Sequence, residues 1–164
     1  MEFGILDFIG ICDLGFPVWP PDGRIGYLGE MDYSFSSELK DGYLHIRVRG
    51  DSDVPTTARY MEDMFRACKR RDCAYLLIEE NLQGERLSMG DIFQLISEKI
   101  DELRLKIRVV AFVDASGQHS ISNLEFAEDV IENRGITVRH FATVKDAAEW
   151  LRAQITSSHP PSGS

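Results

Sequence analysis

The sequence predicts a single α/β domain with a mainly parallel sheet. Three observations carry this prediction. Strand-like and helix-like segments alternate strictly between residues 31 and 156. Short runs of consecutive apolar residues are typical of central parallel strands, whose two faces are both covered. The order β-β-α-β-α-β-α-β-α, with four helices, requires parallel pairing and right-handed crossovers after an initial antiparallel hairpin at one edge.

The first two strands are predicted to form that hairpin. Residues 33–39 and 43–49 flank Lys40-Asp41-Gly42, and an Asp-Gly pair between alternating apolar residues indicates a tight turn. Pro55 then introduces a helix that continues to about Arg71. Its buried face is predicted at the helical spacing of three to four residues and comprises Ala58, Met61, Phe65 and Cys68.

The central strand is predicted at residues 75–78, followed by a loop from Glu79 to Leu87. Ser88 and Asp91 have the spacing of a capping box, in which each residue hydrogen-bonds the backbone of the other, so the second helix begins there. Its buried face is predicted to comprise Ile92, Phe93, Ile96, Ile100 and Leu103.

Two further strand–helix units complete the domain. After an apolar strand at 107–113, Ser122 and Glu125 are predicted to cap a helix, and Gly135 suits the left-handed position at its end. A strand at 137–141 precedes the last helix. That helix is predicted to be capped by Thr143 and Asp146, and its buried stripe to contain Val144, Ala147 or Ala148, Leu151 and Ile155.

The two ends of the chain differ from this domain in amino-acid composition. Residues 1–30 contain six Gly and three Pro, and we assign them to an extension outside the domain, which covers 31–156. Residues 157–164 are small, polar and Pro-rich, which predicts a disordered tail. Acidic residues interrupt the apolar stretch 1–19 and no Lys or Arg precedes Arg24, so neither a secretion signal nor a membrane span is predicted.

Charge and cysteine content narrow the classes of partner and compartment. The chain has 18 Lys plus Arg against 27 Asp plus Glu, a net charge of -9 that repels nucleic acids and anionic membranes. Three cysteines without a CxxC pair predict neither a disulfide framework nor a zinc site. We therefore expect a cytoplasmic protein without a cofactor or metal.

Between residues 33 and 155 the chain resembles the STAS family, which includes the anti-sigma-factor antagonists and the cytoplasmic domains of sulfate transporters. The motifs are the hairpin, the central strand leading to a helix that begins with Ser88, and a closing pattern. That pattern, which is similar to the one in small stand-alone, SpoIIAA-like bacterial members, is Asn133-Arg134-Gly135-Ile136, Phe141 and Ala147-Ala148-Glu149-Trp150-Leu151. The resemblance implies a non-catalytic module that binds a protein partner.

The resemblance also implies a phosphorylated Ser or Thr at the start of the helix after the central strand, where Ser88 lies. A phosphate there would meet free N–H groups and the positive end of the helix dipole. The family's acidic-Ser-Ser/Thr-Gly run is replaced by Arg86-Leu87-Ser88-Met89-Gly90. Ser88 is thus a candidate phosphoacceptor or an ordinary N-cap, and the candidate partner or ligand surface comprises Met89, Gly90, Asp91, Asp114, His119 and Ser122.

Sequence motifs of common enzymes are absent: the chain has no GxSxG, GxxxxGK, GxGxxG or HExxH. Asp114 and His119 follow a strand, at the edge where open α/β sheets place ligand crevices. They could form an acid–base pair or hold a metal, and the alternative is a solvated loop. Catalytic residues and metal ligands are therefore not assigned.

The leading hypothesis is a regulatory protein-interaction module, which could act as a homodimer. One alternative is a small-molecule or lipid-binding module on the same fold, and a weaker one is a hydrolase-like enzyme that uses Asp114 and His119. An exposed apolar patch at the helices begun by Ser88 and Ser122 would favour the first. An enclosed cavity would favour the second, and convergent polar groups with perturbed pKa values the third.

Overall fold

The structure, a computed structural model, describes residues 33–85 and 87–158. Residues 1–30, predicted to be an extension, lie outside the described part of the chain, as do Arg86 and most of the predicted tail. The described elements follow the predicted order and are listed here: β1 (Tyr33–Lys40), β2 (Tyr43–Asp51), α1 (Val54–Arg71), β3 (Tyr75–Gln83), α2 (Met89–Leu103), β4 (Val109–Asp114), α3 (Ile121–Glu132), β5 (Thr137–Phe141) and α4 (Val144–Ser158).

The five strands form one sheet in the order β1-β2-β3-β4-β5, antiparallel between β1 and β2 and parallel elsewhere. The hairpin prediction is confirmed. Asp41 and Gly42 have positive φ angles of 46° and 85°, and Lys40 pairs with Tyr43 across the turn. Two consecutive positive φ angles suit the right-handed twist of a two-residue hairpin, which explains the Asp-Gly pair.

The third strand is longer than predicted. β3 continues through Glu79 and Glu80 to Gln83, pairing with β2 along this length and with β4 as far as Asp114. The predicted loop from Glu79 to Leu87 is wrong in its first five residues, 79–83. The acidic pair obscured the strand, because carboxylates in a strand require partners from distant segments, which sequence spacing does not reveal.

Helix α1 has the predicted bounds but a rotated buried face. Asp53 caps it by accepting a hydrogen bond from the N–H of Thr56 at 2.7 Å. Ala58, Met61 and Phe65 are only half-buried, and the fully buried positions are Thr56, Thr57, Tyr60, Asp63, Met64, Ala67 and Cys68. The prediction counted apolar residues alone, whereas several inward-facing positions carry a hydroxyl or a carboxylate.

Helix α2 has the predicted capping box, whose two hydrogen bonds join Ser88 and Asp91. Its buried residues are Leu95, Ile96, Ile100 and Leu103. Phe93 was predicted to be buried, and this is wrong, since it is 47% exposed; its ring lies 5.8 Å from the Arg134 guanidinium. Leu95, which the prediction left out, is buried instead, with 5% of its surface exposed.

The cap of α3 also differs from the prediction. Ser120 accepts the hydrogen bond from the N–H of Asn123 at 3.2 Å, so the predicted box of Ser122 and Glu125 is wrong. Ser122 is an exposed residue of the first turn. Gly135 has a φ of 90°, as expected for the left-handed residue after the helix.

The last helix has the predicted cap, since the Thr143 hydroxyl accepts from the N–H of Asp146 at 3.1 Å. It extends to Ser158, two residues into the segment predicted to be a tail. Ala147, Ala148 and Leu151 are buried.

Two hydrophobic clusters hold the sheet between helices. Alternate residues of β2, including Leu44, Ile46 and Val48, point into a cluster with α1, α2 and α3. The opposite face, including Tyr43 and Leu77, packs against α4. Because side chains alternate between the faces of a strand, both clusters are built from the same central strands.

Candidate functional site

The amino-terminal end of α2 holds the candidate phosphoacceptor. The Ser88 hydroxyl accepts from the N–H of Asp91 at 3.1 Å and donates to its Oδ2 at 2.6 Å. The same oxygen accepts from the N–H of Ser88 at 3.0 Å. These hydrogen bonds lower the pKa of Asp91. Ser88 is therefore an exposed helix cap whose hydroxyl lies against an ionised carboxylate.

Only some of the residues predicted to form the candidate surface lie together near Ser88. Met89 is 44% exposed and Gly90 is also exposed, in the first turn of α2. The amide of Asn123, in α3, donates to the Leu87 carbonyl at 3.4 Å, so the amino-terminal ends of α2 and α3 are adjacent. Ser122 lies in that same turn of α3. Asp114 and His119 belong to a different arrangement, in the loop after β4.

Asp114 organises the loop that follows β4. Its Oδ1 accepts from the N–H groups of Ser116 and Gly117, both at 3.0 Å, and from the Ser116 hydroxyl at 2.6 Å. Its Oδ2 accepts from the N–H of His119 at 2.8 Å. Burial alone would raise the pKa of Asp114, but the hydrogen bonds from Ser116 and His119 outweigh it and the pKa falls. The carboxylate is thus engaged in holding the loop.

The imidazole of His119 is directed to a buried carboxylate that the sequence reading missed. His119 Nε2 lies 2.7 Å from Oε1 of Glu80, which is 3% exposed. The Tyr60 hydroxyl donates to Oε2 of the same carboxyl group at 2.5 Å. Burial, then the Glu80 charge and this hydrogen bond, raise the pKa of Tyr60 well above its usual value. We call Tyr60, Glu80 and His119 the buried polar cluster.

A signal for Glu80 was present in the sequence. Ile78, Glu80 and Leu82 alternate along β3 and all three are buried on one face. A carboxylate between two inward-facing apolar residues of a strand indicates a buried charge, which must be paired. The predicted loop at 79–87 concealed this pattern.

The buried polar cluster borders a cavity of about 160 Å³ between the sheet and helices α1, α2 and α3. The lining is mainly apolar, with Met64, Ile96 and Leu124 among its residues. A second histidine–carboxylate pair also borders it, with His140 Nδ1 2.7 Å from Oε1 of Glu128. The cavity therefore combines an apolar body with hydrogen-bonding groups that converge at its edge.

A separate ionic cluster lies on the other face of the sheet. His45 Nε2 is 3.1 Å from Oε2 of Glu79, and Arg47 Nε lies 3.4 Å from the same oxygen. Burial, followed by the charge of Arg47, lowers the pKa of His45 despite the opposing effect of Glu79. This cluster satisfies the carboxylate of Glu79, as the buried polar cluster satisfies Glu80.

Within residues 33–85 and 87–158, no three His, Cys, Asp or Glu side chains are placed to share a metal ion. No helix in this part of the chain is both long and apolar enough to span a bilayer.

Comparison with solved structures finds similar folds at low sequence identity. An anti-sigma factor antagonist from Mycobacterium paratuberculosis has a TM-score of 0.47 and 17% identity, covering 82% of this chain and 99% of its own. An uncharacterized protein with a SpoIIAA-like fold from Shewanella loihica has a TM-score of 0.43 and 18% identity, covering 77% and 99%. HypX from Aquifex aeolicus has a TM-score of 0.39 and 12% identity, covering 90% of this chain and 38% of its own.

No protein-family model and no curated protein sequence matches the chain.

Proposed function

We propose that the chain is a non-catalytic regulatory module that binds another protein through the amino-terminal ends of α2 and α3. The observation that supports it is an exposed apolar surface at and near these ends. Met89, Phe93 and Ile121 are 44%, 47% and 68% exposed. A contiguous patch of exposed apolar side chains marks a binding surface, and Met89 and Phe93 lie one turn apart on α2. We call these three residues the apolar face.

Charge indicates the chemistry of the partner. The chain carries a net charge of -9. Asp91 is an acidic residue in the first turn of α2, and Glu125 is an exposed acidic residue in the second turn of α3. Complementary potentials favour association of the correct partner and exclude wrong ones. The expected partner therefore offers an apolar centre with basic residues around it.

Ser88 is the proposed switch of this surface, and the capping box determines how it would act. A phosphate on the Ser88 hydroxyl would carry nearly two negative charges at a position where the Asp91 carboxylate now lies 2.6 Å away. The two groups would repel, so Asp91 would leave the cap and the phosphate would accept from the helix N–H groups in its place. Phosphorylation would thereby rearrange the first turn of α2, beside Met89.

Binding measurements with surface variants test the proposed partner site. A protein recovered from native cells with the full chain is purified, and its Kd is measured for wild type, Phe93→Ser and Ile121→Ser. The two variants should bind at least about tenfold more weakly, as expected for central apolar anchors. Leu105→Ser is the matched control, because Leu105 is 78% exposed but lies after the carboxyl-terminal end of α2. Equal binding by all four proteins would refute the site.

Substitutions at the cap test the switch. Ser88→Ala removes the cap and should cost about 1 kcal/mol of stability while leaving partner binding close to wild type. Ser88→Asp should weaken partner binding, and its repulsion with Asp91 should be relieved by adding Asp91→Asn. Wild-type binding by Ser88→Asp, together with no phosphate on the protein from its native cells, would reduce Ser88 to a helix cap.

The proposal that the module is non-catalytic depends on what the candidate groups already do. The Asp114 carboxylate holds four hydrogen bonds of its loop. Both oxygens of Glu80 have partners. A panel of esters, thioesters and phosphoesters should show no turnover. Turnover that His119→Ala abolishes, with the fold retained, would replace this proposal with an enzyme.

A further inference from the structure

The cavity beneath α1, α2 and α3 has the size of a ring-sized ligand site. Its volume is about 160 Å³. An apolar protein cavity of roughly 150 Å³ is large enough to take up benzene. Drug-sized ligands need pockets of roughly 300 Å³ or more, so this cavity can enclose only part of such a molecule. The matching occupant is a molecule with a single ring or a short branched apolar body.

The apolar part of the lining comes from the sheet and all three helices. It includes residues of α1, α2, β4 and β5, such as Met64, Ile100, Val110 and Val138. Ala127 of α3 also lines the cavity and is only half-buried. A hydrocarbon body is therefore in contact with apolar side chains on most sides, which favours its transfer from water.

The polar part of the lining converges near the carboxyl-terminal ends of the central strands. Glu80 lies opposite Asp114, the last residue of β4, and His119 follows that strand. Tyr60 of α1 contacts Glu80, and Thr57, three residues earlier on the same helix, also lines the cavity. Thr57 is only 8% exposed, and within the described residues its hydroxyl has no hydrogen-bond partner. A buried hydroxyl without a partner is uncommon in native proteins.

The hydrogen-bonding capacity of this region determines what head group fits. A carboxylate has about four acceptor sites, and the two oxygens of Glu80 accept one hydrogen bond each, from Tyr60 and His119. Glu80 can therefore accept a further hydrogen bond. An anionic ligand would face the carboxylates of Glu80 and Glu128 in a largely apolar cavity, which is strongly unfavourable. An ammonium group would lose its hydration on entering the cavity. The carboxylate of Glu80 would not offset this cost, because it already accepts two hydrogen bonds.

We propose that this cavity binds a small uncharged alcohol, with a ring-sized apolar body and one hydroxyl group that donates a hydrogen bond to Glu80. Thr57 is the second polar residue at hand for that hydroxyl. The site is distinct from the apolar face, and its occupation does not depend on the proposed protein partner.

A set of probes of nearly equal shape tests the selectivity of the full-length protein. Benzyl alcohol, toluene, benzoate and benzylamine are titrated and followed by NMR of the backbone amides, which locates the binding site. Benzyl alcohol should bind about tenfold more tightly than toluene, because a hydrogen bond to a charged acceptor contributes at least that factor. Benzoate should not bind. Amide shifts should centre on residues 57–64, 80 and 119–127.

Two substitutions with the same change of size test the location. Ala127→Leu places three additional carbons at the cavity wall and should weaken benzyl alcohol binding at least tenfold. Ala153→Leu, on the exposed side of α4, should bind like wild type. Glu80→Gln keeps the shape of the side chain and removes its charge. It should reduce the preference for benzyl alcohol over toluene to about threefold, since a neutral hydrogen bond is about half as strong.

Four results would overturn the proposal. The first three are the absence of saturable binding of benzyl alcohol by wild type, equal affinity for benzyl alcohol and toluene, and wild-type affinity in Ala127→Leu. Tighter binding of benzoate or benzylamine than of benzyl alcohol would show that the head group is charged and would also refute it. None of these outcomes involves the Ser88 end of α2, so the partner site is judged separately.

Discussion

Replacing Asp114 by Ala should destabilise the fold by about 2 kcal/mol. Four donors converge on this carboxylate, and the backbone N–H groups of Ser116 and His119 are the two part-buried backbone donors among them. Each part-buried donor that loses its acceptor costs about 1 kcal/mol, whereas water can replace the acceptor at the exposed N–H of Gly117. If Asp114 were a solvated loop residue, which is the alternative that the sequence left open, its replacement by Ala would destabilise the fold by no more than about 1 kcal/mol.

Urea unfolding followed by far-UV circular dichroism measures this difference in the full chain. The midpoint should fall with an unchanged dependence on urea, because the extent of the fold stays the same. Asp101→Ala is the control. The Asp101 side chain is 81% exposed and pairs at the surface with Arg104 at 3.2 Å, so this change should alter stability by no more than about 0.5 kcal/mol.

The pH dependence gives a second check on Asp114. Its folded pKa is lowered, so its contribution is present above the unfolded value of about 3.9 and is lost as the pH falls through the folded value. The difference between wild type and Asp114→Ala should therefore shrink in acid. A loss no larger than that of Asp101→Ala, at every pH, would refute the assigned role of this carboxylate.

Three other outcomes are expected. The pKa of His45 is lowered, so the stability that this residue contributes is present above about pH 6.5 and is lost as the pH falls below that value. Between about pH 7 and 5, the melting temperature of His45→Gln should therefore change less with pH than that of wild type. Parallel curves of melting temperature against pH for the two proteins would contradict this. Burial raises the pKa of Cys68 to about 12, so iodoacetamide should leave it unmodified in the native protein and alkylate it in urea, as peptide mass spectrometry can show. Deleting residues 1–30 should leave cooperative unfolding at a similar melting temperature, and a truncated chain that melts without cooperativity would show that the extension belongs to the core.

The caps and turns could be predicted because their interactions span only a few residues. Asp41-Gly42 turns the hairpin, and Ser88 with Asp91 and Thr143 with Asp146 form caps across three residues. Such contacts depend on local spacing, which the sequence displays directly. The order of strands and helices followed from the same local patterns, and it was sufficient to predict the parallel sheet.

The cap of α3 marks the limit of this local reasoning. The local pattern favours Ser122, because Glu125 follows it at the spacing of a capping box, whereas Asn123 stands at that spacing after Ser120. The structure selects Ser120, since the Asp114 loop fixes the chain as far as His119 and the helix begins directly afterwards. A loop held by side-chain hydrogen bonds therefore determined where the helix is capped, two residues before the cap that the local pattern predicts.

By itself, the sequence determined the fold class, the hairpin and two of the four amino-terminal helix caps, all of which arise between residues close in the chain. Only the tertiary structure decided that β3 extends through Glu80 and that this carboxylate is buried. Its partners, Tyr60 and His119, lie 20 and 39 residues away along the chain. A charge can remain in the interior only where such donors converge. Their convergence depends on how α1 and the loop after β4 pack over one face of the sheet, which no local pattern records.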